Sequence, residues 1–325
     1  MKTIFSGIQP TGQLHIGNYL GAIKQWVKLQ SQYESIFSIV DYHAITAKFD
    51  PKTMPDKIFS AAADLLSCGI DPEKSILFVQ SDVPQHTELA WILNSFTTVG
   101  ELSRMTQYKE KKEKETGNVG LFDYPVLQAA DILIYSADVV PVGEDQIQHI
   151  ELTRDIAKRF NLRFGEIFVE PKAIINKTGR ILGLDGNGKM SKSNSESTYI
   201  ALSDSPEIIK DKIARATTDV GNESQISPAS QNLLNLLEQF ADVEIAEKYF
   251  EQRKNGTIKY SELKPILADS IINILKPIQE KRAKLEKDPK YMLDILQNGA
   301  KKLQPKAQEM IVKVKKAMGL EITKN

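Results

Sequence analysis

The chain of 325 residues has one cysteine, Cys68, four histidines and two tryptophans. A lone cysteine excludes intramolecular disulfides and any Cys-rich zinc site, and fits a reducing compartment. The four histidines, His15, His43, His86 and His149, are too scattered for a structural zinc site, so no metal ligands are expected from the chain. Long apolar runs are also missing. The longest, such as Ile132–Tyr135 and Val139–Val142, fall far short of the ~20 residues that span a bilayer. Gly7, Gln9 and Pro10 interrupt the N-terminus before any secretory pattern develops. Net charge is absent too: 42 Lys and Arg balance 42 Asp and Glu, which argues against attachment to nucleic acid or membrane by bulk charge.

What is present is an ordinary globular composition, 41 % hydrophobic and 26 % charged, with length enough for about two domains. The zero charge is a sum over unlike halves. Residues 1–190 carry 20 basic and 23 acidic side chains, residues 191–325 carry 22 and 19, and the last fifty carry 13 and 6. A basic tail suits phosphate contacts, although a solvated helix surface has the same composition.

The first half alternates between strand and helix patterns. Strands are expected at Thr3–Ile8, Ser35–Val40, Ser75–Val79 and near Ala137–Val140. Helices are expected from Leu14 to Val27, Asp56 to Cys68 (closed by Gly69), Gln85 to Phe96 with Leu89 and Trp91 on its apolar side, and Glu144 to Phe160. Such alternation implies a doubly wound parallel α/β sheet of Rossmann type. Beyond Pro206 strand signals fade, and Leu233–Phe240, Val243–Phe250, Leu263–Leu275 and Met310–Met318 read as helices. The expected division is a catalytic domain over 1–195 and a smaller all-helical domain over 196–325. The charged stretch from Lys109 to Glu115 reads as a solvated helix or an arm.

Two segments have the make-up of a nucleotide site. Gly7 to Asn18 joins the first strand to the first helix, where free N–H groups meet an anion. Gly12 and Gly17 remove bulk there, and His15 and Asn18 bring donors. Gly186 to Asn194 carries Lys189 and Lys192 among glycines and small hydroxyls, a composition able to close on a polyphosphate. Taken singly, the first is equally an ordinary helix start and the second a solvated linker.

Together, His-Ile-Gly-Asn at 15–18 and Lys-Met-Ser-Lys-Ser at 189–193 resemble the paired signature of class I aminoacyl-tRNA synthetases, with Asn18 where His is usual. Gly7–Asn18, Gly100–Lys111, Tyr124–Tyr135 and Val140–Asn161 are similar to the bacterial tryptophanyl branch, and Gly-Glu-Asp-Gln at 143–146 separates it from tyrosyl relatives. The resemblance implies ATP-dependent attachment of L-tryptophan to tRNA(Trp) through an adenylate. It implies His15, Asn18, Lys189 and Lys192 as the catalytic groups. Gln9, Pro10, Thr11, Gly17, Gly143, Glu144, Asp145, Ile181, Met190, Ser191 and Ser193 join Asn18 and the two lysines around ATP, and Lys109 and Lys111 lie in a segment that also reaches toward phosphates.

Asp131 matches the indole-reading aspartate, with Phe5, His43, Tyr124, Gln128 and Gln146 as further tryptophan contacts. An indole N–H only donates, so an acceptor is required. Gln128 stands where many bacterial relatives have Met, bringing a donor and an acceptor in place of a thioether. The resemblance further implies Mg2+ accompanying ATP, a homodimer, a cytoplasmic setting and neither membrane nor DNA as partner. A tyrosyl enzyme, a non-catalytic RNA-binding relative and a nucleotidyltransferase acting on a metabolite are the competing readings.

Overall fold

The computed structural model describes residues 1–112, 117–175, 181–191, 194–219 and 226–320, without the side chains of 110–112. Its centre is a parallel sheet of five strands: β1 (Thr3–Ile8), β2 (Glu34–Ile39), β3 (Ser75–Val79), β4 (Val139–Val142) and β5 (Lys172–Ile175), in the order β3-β2-β1-β4-β5. The chain winds outward from β1 to β3 on one side and from β4 to β5 on the other. The order therefore reverses between β1 and β4, where open parallel sheets bind ligands beyond their carboxyl ends.

Alternation along each strand sorts side chains to the two faces. Ile4, Phe37 and Leu77 join one core, while Phe5, Ile36 and Phe78 join the other. Both faces of β2 are covered, so five of its six residues are buried without alternation, Ser35 and Ser38 included.

The helices of the first half are α1 (Ile16–Asn18), a π-helical turn (Tyr19–Ile23), α2 (Lys24–Leu29), α3 (Asp41–Ala44), α4 (Met54–Ser67), α5 (Gln85–Asn94), α6 (Val99–Arg104), α7 (Thr106–Lys112), α8 (Val119–Leu133) and α9 (Ile147–Phe164). Trp26 of α2 stacks on Phe37 with ring centroids 5.0 Å apart, fixing the first helical run to one face. The other face is covered by α5, α8 and α9.

The second half is helical: α10 (Pro206–Arg215), α11 (Pro228–Phe240), α12 (Val243–Lys254), α13 (Tyr260–Glu286) and α14 (Pro289–Ala317). Helices α10 to α13 pack together around Leu233, Leu237, Leu263 and Leu267. Helix α14 does not stay with them. It returns to edge strand β3, and Leu303, Ala307, Ile311 and Val314 complete the second core of the sheet. Gly299 makes this approach possible, because a methyl group there would overlap the Leu77 carbonyl. The capped edge is thereby shielded from pairing with another chain.

Several expectations shift. The fourth strand begins at Val139, because Ala137 belongs to the turn after α8. A 3-10 turn over Glu144–Gln146 precedes α9, which runs on to Phe164. Leu89 is buried, but Trp91 is 79 % exposed, because α5 turns its opposite side to the sheet. Strand β5 carries only four residues and no alternation, so it was not anticipated. In α13 and α14, Pro265, Pro277 and Pro305 sit inside helices whose packing outweighs the lost hydrogen bonds. The charged stretch begins as α7, with Lys109 exposed, and residues 113–115 lie outside the described residues.

One buried ion pair ties the helical half to the sheet. Arg282 of α13 contacts Asp64 of α4 and also donates to the Ser60 carbonyl at 3.3 Å and Ser60 Oγ at 3.0 Å. The Asp64 side chain is 4 % exposed. Breaking a buried pair leaves a charge without compensation. Arg282→Met is expected to cost about 3–5 kcal/mol, read as a lower thermal or urea midpoint, with part recovered in Asp64→Asn/Arg282→Met. A single variant as stable as the parent would contradict this.

Candidate active site

The turn that follows β1 opens the site. Thr11 N–H donates to the Gln9 carbonyl at 2.9 Å, folding Gln9, buried Pro10 and exposed Thr11 at the strand's carboxyl end. His15, 4 % exposed, then begins α1. Its backbone N–H donates to Asn18 Oδ1 at 3.1 Å, and the Asn18 N–H donates to the His15 carbonyl at 2.8 Å. Asn18 thus closes the first helical turn. Leu14 and Ile16 pair with residues 200–202, and the His15 ring lies 5.9 Å from that of Tyr199.

Residues 181–190 form a short hairpin, with Leu182 and Lys189 bridged and the Met190 N–H donating to the Ile181 carbonyl at 2.9 Å. Its base is held by Asn232 of α11, 2 % exposed. Asn232 Oδ1 accepts from Leu182 N–H at 2.9 Å and Nδ2 donates to the Leu182 carbonyl at 3.0 Å. Met190, also 2 % exposed, packs by Gly17. A Cβ on Gly17 would stand 2.9 Å from His15 Nδ1 and 3.4 Å from Met190 Cβ, so the two sequence segments meet where only glycine fits. Ile181 is buried and Ser191 half-buried, while Lys192 and Ser193 lie outside the described residues.

Exposed Lys189 reaches across to β4. Its Nζ lies 3.7 Å from Asp145 Oδ1 in the turn that also holds Gly143, exposed Glu144 and Gln146. Gln146 Nε2 donates to Asp145 Oδ2 at 3.1 Å. Burial works against ionisation of Asp145, but Lys189 and Gln146 outweigh it and hold its pKa below the usual range. So exposed a pair contributes little to stability and separates readily. Lys109 stands exposed on α7, and the Lys111 side chain is outside the described set.

The second cluster surrounds Asp131, in the last turn of α8. Tyr124, Gln128 and Asp131 recur at i, i+4 and i+7, which lines them along one helix face. Asp131 is 1 % exposed. His43 Nε2 from α3 meets its Oδ2 at 3.0 Å, and His86 Nδ1 from α5 meets its Oδ1 at 2.6 Å. Gln80, first residue after β3, donates Nε2 to both oxygens at 2.8 and 2.9 Å. Burial pushes the Asp131 carboxyl up, yet the hydrogen bonds from His43 and His86 more than offset it, leaving a pKa of about 2.

The rest of the set connects by contact. Tyr124 meets the His43 ring edge-on at 6.1 Å and its hydroxyl lies 2.8 Å from His149 Nε2. Phe5 stacks on Tyr135 at 5.9 Å, and the Tyr135 hydroxyl lies 2.7 Å from His86 Nε2. The structure therefore joins Phe5, His43, Tyr124 and Asp131 in one cluster. Gln128 is half-buried on the same face, and Gln146 contacts Asp145. Gln80, His86, Tyr135 and His149 were not singled out. The available signal was position: Gln80 follows β3 directly, and His86 opens the helix after it.

Among the described residues no three His, Cys, Asp or Glu side chains group as metal ligands. The arrangement offers a backbone turn and a lysine-bearing hairpin over one strand end, and a buried anion among aromatic rings over the next.

Known proteins match this chain along its length. The family described as tRNA synthetases class I (W and Y) matches residues 1–276. A tryptophan–tRNA ligase of Wolinella succinogenes is 47 % identical, covering 98 % of this chain and 99 % of the relative. The solved tryptophanyl-tRNA synthetase of Campylobacter jejuni, complexed with ADP and tryptophan, is 38 % identical with a TM-score of 0.84, covering 98 % of this chain and all of that one. The enzyme of Mycoplasma pneumoniae superposes with a TM-score of 0.88 at 35 % identity, over 99 % and 98 % of the two chains.

Proposed function

The chain belongs to the class I tRNA synthetases of the tryptophan and tyrosine type, and from that premise we propose that it joins L-tryptophan to tRNA(Trp) at the expense of ATP. The observation that carries the choice of amino acid is the near-full-length likeness to tryptophan–tRNA ligases, at 47 % identity. A relative of the same length that holds ADP and tryptophan supports the two-ligand reading of the site.

The reaction has two steps. The tryptophan carboxylate attacks the α-phosphorus of ATP, forming tryptophanyl-adenylate and expelling pyrophosphate. A ribose hydroxyl of the terminal tRNA adenosine then attacks the activated carbonyl, and AMP leaves. The first nucleophile is already an anion, so no general base is needed, and catalysis rests on positioning and charge stabilisation. The ATP set of Gln9, Pro10, Thr11, Gly17 and Asn18 faces the nucleotide from the turn after β1 and from α1, with His15 beside it. Gly143, Glu144 and Asp145 accept from the ribose hydroxyls, and Ile181 and Met190 flank the base. When phosphates enter, Lys189 exchanges Asp145 for them and, with Lys192, Ser191 and Ser193, offsets the charge growing on pyrophosphate. The described residues offer no metal cage, so Mg2+ arrives on the ATP phosphates and no step is assigned to a protein-held ion.

Asp131 accepts the indole N–H, taking it in place of a present donor, while Phe5, His43, Tyr124 and Gln128 wall the ring and Gln146 faces the substrate's α-amino end. Helices in the 196–325 portion meet the tRNA anticodon arm, aided by the basic tail. No helix among the described residues is long and apolar enough to cross a membrane. The cytoplasmic setting rests on the proposed reaction, which charges a tRNA for translation. The enzyme works as a homodimer, supported by Trp91 on α5 and Val119 on α8, each 79 % exposed on helices that pack together.

Pyrophosphate exchange into ATP, run with each of the twenty amino acids, is expected with tryptophan alone. Exchange with tyrosine only, or with none, would overturn the reading. Light scattering is expected to give twice the 36.4 kDa chain mass and the single-chain mass for Trp91→Glu. A monomeric parent protein would refute the dimer.

A further inference from the structure

The surroundings of Asp131 are more specialised than a buried carboxylate needs. It sits in the last turn of α8, where the helix dipole opposes a negative charge, and it is removed from water. An asparagine would fill the same space at lower cost if packing were the only demand. Three side chains are instead committed to keeping it an anion.

Each of the three shows that commitment in its geometry. Gln80 is fully buried, and its Nε2 straddles both carboxylate oxygens. Among the described residues its Oε1 is buried with no hydrogen-bond partner. Turning the amide over would set that oxygen against the carboxylate, so the Asp131 charge fixes the orientation, and Gln80 carries an unsatisfied acceptor in consequence. His86 is also fully buried, between Asp131 and Tyr135. Burial pushes the Tyr135 hydroxyl pKa well above its ordinary value, so the hydroxyl keeps its proton to donate to His86 Nε2. That places the ring proton on Nδ1, where the 2.6 Å contact to Asp131 has the length of a charge-assisted bond. A directed chain of donors runs from Tyr135 through His86 to the carboxylate.

We infer that Gln80, His86 and Tyr135 are positioning residues that hold Asp131 ionised and aimed, and so set the preference for a substrate ring that carries an N–H donor. The inference rests on the indole role proposed for Asp131 and goes beyond it, assigning part of the amino-acid selectivity to three side chains that do not touch the substrate. An acceptor fixed before binding discriminates more sharply than one that must reorganise, because a ring without the donor displaces a present partner of the buried charge and supplies none.

The test compares L-tryptophan with its benzothiophene isostere, in which sulfur replaces the indole N–H, by pyrophosphate exchange. The readout is the ratio of their kcat/KM values. Asp131→Asn is expected to lower the ratio roughly a hundredfold, His86→Leu and Gln80→Leu roughly tenfold, and Tyr135→Phe roughly threefold, with the KM for ATP unchanged. Tyr135→Phe removes one oxygen and decides the matter if the His86 variant does not fold. A lowered ratio in Asp131→Asn with unchanged ratios in the other variants overturns this inference and leaves the indole role standing. An unchanged ratio in Asp131→Asn overturns both.

Discussion

The feature on which the rest depends is a carboxylate kept charged where neither water nor the helix dipole favours it. Asp131 is tied to His43 beyond β2, to Gln80 at the end of β3 and to His86 at the start of α5. A parallel sheet brings these positions together, because β2 and β3 are neighbours whose carboxyl ends point the same way. The apolar sides of α5 and α8 bury the cluster and exclude water that would compete for it. The cost of so buried an ion is offset only while every donor is present, which demands a rigid scaffold.

The nucleotide side of the site follows the opposite logic. Its Lys189–Asp145 contact is exposed and separable, and its hairpin is shared between the two halves of the chain. Lys189 rests on Asp145 at 3.7 Å, and its hairpin is anchored at the base by Asn232 on α11. The hairpin also touches Gly17 through Met190. A shift of α11 relative to β1 therefore reaches Lys189 through covalent and hydrogen-bonded links. On the proposed reading, selectivity for the amino acid is built from fixed groups, and the handling of phosphate from groups that change partners.

Much of this was legible in the residues, and the rest had physical reasons to be hidden. Thr3–Ile8 and Ser75–Val79 read correctly because a buried parallel strand is a bounded apolar run. Trp91 misled because amphipathic reading assumes that large aromatics face the core, whereas this one is exposed on α5. The helices expected at Leu263–Leu275 and Met310–Met318 are parts of the longer α13 and α14, which run through Pro265, Pro277 and Pro305. Asp131 was visible by resemblance. Its partners Gln80 and His86 lie 51 and 45 residues away and obey no local spacing, so only the fold brings them to it, while Tyr135, four residues on, joins through His86. The net charge of zero concealed a basic tail, part of which belongs to α14, a helix that caps the sheet.

The most direct test of the account is the ionisation of Asp131 itself. Its hydrogen bonds outweigh burial and depress the carboxyl to about 2, so the negative charge persists well below neutral pH. Carbon-13 NMR of the labelled Asp131 carboxyl, assigned by its loss in Asp131→Asn, is expected to show an ionised signal with no titration step from pH 8 down to pH 4. A carboxyl that takes up a proton between pH 8 and pH 5 would contradict the central claim.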